Sequence, residues 1–142
     1  MDSSKFEINK RNFRVVDIID NSLDILLVDN DVIELNIQQD MIVNIDFELF
    51  SIAIKNLIDN AVKYSKEKPN ISIIDNSFII SSSGDKLSKS LEEYKKPFNK
   101  EFENSKSGLG LGLYIVQNIL TAHNLVLEYI YHNGNNIFKI QF

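Results

Sequence analysis

Three residues on one helix-like run and a glycine cluster further along hold most of the chemistry this sequence could perform. Between Phe47 and Tyr64, Asn56, Asn60 and Lys63 recur at spacings of four and three, so two amides and a cation share one side of a helix. That side is expected to point away from the apolar stripe Phe50, Ile54, Leu57 and Ala61. Asparagine is a mediocre helix former because its side chain competes for backbone hydrogen bonds, so two of them one turn apart suggest a task. An amide oxygen is a hard, neutral ligand suited to Mg²⁺, and Lys63 offers a point charge to phosphates. The plain alternative is a solvated polar face.

Ser107-Gly108-Leu109-Gly110-Leu111-Gly112-Leu113 opens the next strongly apolar helix. Glycines at alternate positions let backbone N–H groups approach an anion, and a helix N-terminus adds partial positive charge. The spacing is not that of a dinucleotide-binding turn, and no Gly-Lys-Ser/Thr follows as in a P-loop. Taken alone, the cluster also reads as a hinge before a core helix.

Other chemistries are poorly supplied. There is no cysteine, and His123 and His132 are the two histidines, so disulfides, thiolate sites and multi-histidine zinc centres are set aside. Fifteen Lys and Arg against twenty Asp and Glu leave a net charge of −5, which gives no basic face for a nucleic-acid backbone. No apolar run approaches the roughly 18 residues of a membrane span, and Met1-Asp2-Ser3-Ser4-Lys5 is no signal peptide. The 142 residues are expected to form a single domain over 1–142.

The elements that must position these groups follow from patterning. Phe13 to Val28 carries helix-spaced apolar residues. Val32–Ile37 and Met41–Ile45 have strand character, with Gln38-Gln39-Asp40 expected as a hairpin between them. Asp46 is placed to cap the helix Phe47–Tyr64. Ile71–Ile74 and Phe78–Ser82 flank the turn Asp75-Asn76, and a polar stretch runs from Ser83 to Ser107, with Leu91 and Tyr94 expected as local core. A helix Leu111–Ala122 and a last hairpin through Asn133-Gly134 follow. The expected fold is α/β of the two-layer kind, a mixed, largely antiparallel sheet covered on one face by about three helices.

Asn56-Leu57-Ile58-Asp59-Asn60-Ala61-Val62-Lys63-Tyr64 resembles the N box of bacterial sensor histidine kinases, and Gly108 to Val116 resembles their G2 box. Pro97-Phe98-Asn99-Lys100 is similar to the F box between them. On these motifs the chain resembles the catalytic, ATP-binding domain of histidine kinases, a Bergerat-fold superfamily shared with type II topoisomerases, mismatch-repair ATPases and related chaperones. The resemblance implies Asn60 on Mg²⁺, and Asn56 and Lys63 on the phosphates. It further implies Tyr64 near adenine and ribose, Gly108 to Leu113 (Leu109, Gly110, Leu111 and Gly112 between them) around the triphosphate, and Lys100 where an Arg often reaches the γ-phosphate. The G1 box departs: Ser82-Ser83-Gly84-Asp85-Lys86 has Ser82 in place of the Asp that binds the adenine amino group, and Lys86 in place of the second glycine.

Superfamily members that hydrolyse ATP carry a Glu where Asn56 stands, and an amide is no general base. The resemblance therefore implies a protein-histidine kinase that donates phosphate to a dimerisation/phosphoacceptor domain, and through it to a response regulator. It implies ATP and Mg²⁺ as cofactors, a monomeric isolated domain in the cytoplasm, and a full-length kinase anchored in the inner membrane. The competing reading is a catalytically degenerate nucleotide-binding or docking module, favoured by the altered G1 box. His123 and His132 are expected to be structural, His123 as an imidazolium at a helix C-terminus.

Overall fold

The computed structural model describes residues 7–88, 90–95 and 109–142. The F box from Pro97 to Lys100 and Gly108 lie outside them. The elements are β1 (Arg11–Arg14), α1 (Val15–Leu26), β2 (Glu34–Ile37), β3 (Ile42–Ile45), α2 (Phe47–Tyr64), β4 (Asn70–Ile74), β5 (Ser77–Ser83), α3 (Leu109–Ala122), β6 (Leu127–His132) and β7 (Asn135–Gln141). Short 3₁₀ turns cover Asn30–Val32 and Leu91–Lys95.

The main sheet has the order β2-β4-β5-β7-β6, parallel only between β2 and β4. It is thus mixed and largely antiparallel, as expected. One apolar core joins it to the helices through Ile18, Leu23, Phe50, Ile54, Ile58, Ile71, Phe78, Ile80, Leu113, Val116 and Ile140.

Helix α2 runs over the expected residues, and Asp46 is its N-cap. The Asp46 side chain accepts from Leu49 N at 3.1 Å, satisfying one of the N–H groups a helix start leaves unpaired. Both expected tight turns form with positive φ: Asp75 and Asn76 at 52° and 57°, Asn133 and Gly134 at 50° and 76°. Asn and Asp tolerate this left-handed geometry better than other side chains, which is why they mark hairpins.

Two local expectations are corrected. Phe13 and Arg14 belong to a strand rather than to the first helix, and β1 pairs antiparallel with β3 in a separate two-stranded sheet. Nor do β2 and β3 form a hairpin: β2 runs parallel to β4, with Leu35 opposite Ile71. The intervening Asp40 instead caps α1, accepting from Val16 N at 3.3 Å, because Arg14 at that helix's N-cap supplies no side-chain acceptor.

Candidate nucleotide site

A cavity of about 330 Å³ opens between the C-terminal half of α2 and the ends of β5 and β7. Leu57, Ala61, Ile80 and Phe138 make its apolar walls, and Asn60, Tyr64, Ser82 and Asn136 supply polar groups. A mostly apolar cleft with a few convergent polar groups is what a planar heterocyclic ligand needs. Asp85, Lys86, Leu87 and Ser88 close one side.

The amide face of α2 is not the solvated polar face of the plain alternative, nor does it point away from the apolar stripe. Asn56 is buried, at 8% exposure, and Asn60 lines the same cavity as Leu57 and Ala61. α2 packs against the sheet and α1, so its buried arc is wider than one stripe. Neither Asn56 Nδ2 nor Asn60 Nδ2 has a hydrogen-bond partner among the described residues. A buried donor left without an acceptor costs about 1–3 kcal/mol, so these two groups are a standing expense unless something else receives them.

Gly112 of α3 faces Asn60. A Cβ at Gly112 would lie 3.5 Å from Asn60 Nδ2 and 3.7 Å from Oδ1, covering both amide atoms. The glycine leaves that space open. Leu109 and Gly110 begin α3, Leu111 is exposed and Leu113 is fully buried in the core.

Lys63 does not line the cavity and pairs with Asp59 at 3.0 Å, one turn back on α2. That hydrogen bond, together with the carboxylate's charge, raises the Lys63 pKa above the ordinary lysine value. Tyr64 lines the cavity while remaining 41% exposed, and partial burial raises its phenol pKa. Gly84 adopts φ +150°, and a Cβ there would come within 3.2 Å of the Tyr64 carbonyl oxygen, so the loop after β5 passes α2 more closely than other residues allow. Ser82 sits opposite Asn136 on the neighbouring strand. Asp85 and Lys86 of the G1 box reach the cavity on the loop after β5, together with Leu87, which the sequence did not single out; Asn136, also not singled out, is brought there by its register opposite Ser82.

His123 is structural, as expected, but not as an imidazolium. Its Nε2 accepts from Asp46 N at 3.0 Å and its Nδ1 lies 2.7 Å from the Ile119 carbonyl, so the proton sits on Nδ1 and the ring is neutral.

Residues 45–141 match the family described as histidine kinase-, DNA gyrase B-, and HSP90-like ATPase. The chain belongs to this ATPase family. Over 143 aligned residues it is 39% identical to the sensor histidine kinase ArsS of Helicobacter pylori (strain ATCC 700392 / 26695), covering 97% of this chain and 33% of that protein. It is 33% identical over 94 residues to the sensor histidine kinase HprS of Escherichia coli (strain K12), covering 61% of this chain and 21% of that one. The chain therefore spans a third or less of these relatives. The mycobacterial sensor histidine kinase MprB has the same fold, with a TM-score of 0.70 at 22% identity over 93% of this chain and 95% of that one. Membership of the ATPase family and the two-layer architecture inferred from the N and G2 boxes both hold. Among the described residues, no helix is long and apolar enough to cross a membrane.

Proposed function

We propose that this chain binds Mg²⁺-ATP in the cavity beside α2 and donates the γ-phosphate to a histidine on a separate dimerisation/phosphoacceptor domain, as the catalytic domain of a sensor histidine kinase. The observation that carries this reading is the pair of orphaned amides, Asn56 and Asn60, one turn apart on α2, the second left open by Gly112. Amide donors without acceptors, beside an apolar cleft, suit phosphate oxygens at one end and a base at the other.

The residues fit a magnesium ion that keeps most of its ligands from water and phosphate. Asn60 Oδ1 is a hard oxygen donor, and Mg²⁺ in such sites takes only one or two protein ligands. Magnesium bound there neutralises phosphate charge. Asn56 and Asn60 orient the phosphates, Lys63 adds positive charge once it exchanges Asp59 for a phosphate, and Tyr64 and Ser82 border the base. In the transfer, an imidazole nitrogen of the acceptor forms the new bond to phosphorus while the bond to the ADP oxygen breaks. Asn56 supplies no base for water, which favours transfer over hydrolysis. Gly108 and Lys100 are assigned to the triphosphate by the family motif alone.

The single domain 1–142, monomeric when isolated, then works within a longer kinase. Its acceptor domain relays phosphate to a response regulator, with this domain in the cytoplasm and the kinase anchored in the inner membrane. A degenerate nucleotide-binding or docking module is the second reading, favoured by Ser82 and Lys86 in the G1 box.

Calorimetric titration with a non-hydrolysable ATP analogue, with and without Mg²⁺, tests the reading. Wild type is expected to bind more tightly with magnesium, and Asn60→Ala to bind at least about 10–100-fold more weakly, the range lost with a hydrogen bond to a charged group. A folded wild-type chain that binds no nucleotide favours the docking module.

A further inference from the structure

The loop that closes one side of the cavity is held almost entirely by the last hairpin. Both backbone groups of Gly84 are taken: its N–H donates to the Gly134 carbonyl at 3.0 Å, and its carbonyl accepts from Tyr131 Oη at 2.9 Å. The Asp85 carbonyl accepts from Asn136 Nδ2 at 2.9 Å, and Leu87 N donates to Tyr129 Oη at 3.1 Å. Tyr129 and Tyr131 are two apart on β6 and so share one face of it. The loop carries Lys86 where a second glycine would otherwise allow a tight path, and three side chains of β6 and β7 fix that path instead.

One member of this set also borders the cavity. Asn136 lies opposite Ser82 in the sheet register, and both line the pocket. Its amide cannot flip. Tyr129 Oη accepts from Leu87 N, so its own proton goes to Asn136 Oδ1, 2.5 Å away. The Asp85 carbonyl can only accept, so it takes Nδ2. Burial raises the Tyr129 pKa, which keeps that proton on the phenol at neutral pH. With its orientation set from both sides, the amide retains one N–H and one oxygen lone pair in a fixed order. On its Watson–Crick edge adenine presents a donor, N6–H, beside an acceptor, N1, whereas guanine presents an acceptor, O6, beside a donor, N1–H.

We propose that Tyr129 and Tyr131 are positioning residues of the nucleotide cavity: Tyr131 holds the loop at Gly84, and Tyr129 locks the Asn136 amide so that the site distinguishes adenine from guanine. This rests on the nucleotide reading above. The test is calorimetric titration of wild type, Tyr129→Phe and Tyr131→Phe with ATP and with GTP, alongside thermal unfolding of each. Phenylalanine keeps the Tyr129–Phe138 ring contact, whose centroids are 5.0 Å apart. Tyr129→Phe is expected to weaken ATP by about 10-fold and GTP by less than about 2-fold, while Tyr131→Phe weakens both by about 3-fold and leaves their ratio unchanged. If Tyr129→Phe fails to fold, Asn136→Asp serves instead: it keeps the acceptor for Tyr129, removes the donor, and is expected to lower the ATP preference. An ATP/GTP ratio that stays at the wild-type value in Tyr129→Phe or Asn136→Asp overturns the proposal, whether or not the melting temperature falls. A wild type that binds neither nucleotide overturns the nucleotide reading and this inference together.

Discussion

The N-cap of α2 and the turn that carries Asn56 and Asn60 treat polar groups in opposite ways. At the N-cap the Asp46 groups are matched: its two oxygens accept from Leu49 N and Asn9 N, and its own N–H reaches His123; one turn on, Ser51 Oγ is buried without a partner among the described residues. Toward the C-terminal end, Asn56 and Asn60 keep buried N–H groups with no partner among the described residues. Both ends use short polar side chains of similar size. One end spends them on holding the fold, and the other holds them open for a ligand. On this contrast, damage to the first end should cost stability and spare binding, and damage to the second should do the reverse.

The largest separation is expected from His123→Phe. It leaves Asp46 N–H without its acceptor and so is expected to remove about 1–3 kcal/mol of unfolding free energy, measured by urea denaturation, with ATP affinity unchanged. A comparable loss of affinity would break the division between the cap and the amide pair. Gly112→Ala tests the amide pair. Its new Cβ meets Asn60 at ordinary contact distance, 3.5 Å, so the helix gains up to about 1 kcal/mol from replacing glycine. Nucleotide affinity is expected to fall by about 10-fold, the worth of one good hydrogen bond to a charged group. Stability rising while binding falls is an outcome that mere misfolding cannot produce.

Ser82→Asp sharpens the picture at the base. Restoring a charged acceptor is expected to tighten ATP a few-fold, since charged hydrogen bonds exceed neutral ones by about 1 kcal/mol, with GTP unaffected. Equal affinities in both proteins would remove Ser82 from base recognition. The smallest effect belongs to Asp59→Asn. The Lys63–Asp59 pair is exposed, its side chains being 53% and 34% accessible, so its loss should shift stability by less than about 0.5 kcal/mol. Because pairing raises the lysine pKa, that small contribution is complete at neutral pH and disappears only as pH rises past the lysine range. A thermal scan at pH 7 and again at strongly alkaline pH checks both size and sign.

What could be read from the chain divides along the same line. The bounds of α2 were legible because a capping Asp46 and a helical apolar period agree, and the two hairpin turns because Asp, Asn and Gly sit where φ must be positive. The pairing of β2 with β4 was not, since neighbouring strands in sequence suggest a hairpin and only tertiary packing sends β2 past β3. Phe13 was absorbed into the first helix because its spacing matches the helical pattern, while its strand pairing depends on Val43, thirty positions away. At the site, the residue types of Asn56, Asn60 and Ser82 were legible and their setting was not. Spacing tells which residues share a helix face but not how much of the helix is covered. Asn136, Tyr129 and Tyr131 escaped because their relation to Ser82 and Gly84 runs through sheet register; the alternation of the two tyrosines on one strand face was the available signal.

The strand order also governs assembly. β7, the last strand in the chain, lies inside the sheet between β5 and β6, so β5 gains its second neighbour only after the segment that follows α3 has been threaded into place. Such long-range pairing forms late and slowly compared with helices. The wall around Gly84 to Leu87 has its anchors on β6 and β7 and cannot be set before that step. During refolding, helical signal should therefore return ahead of a formed cavity.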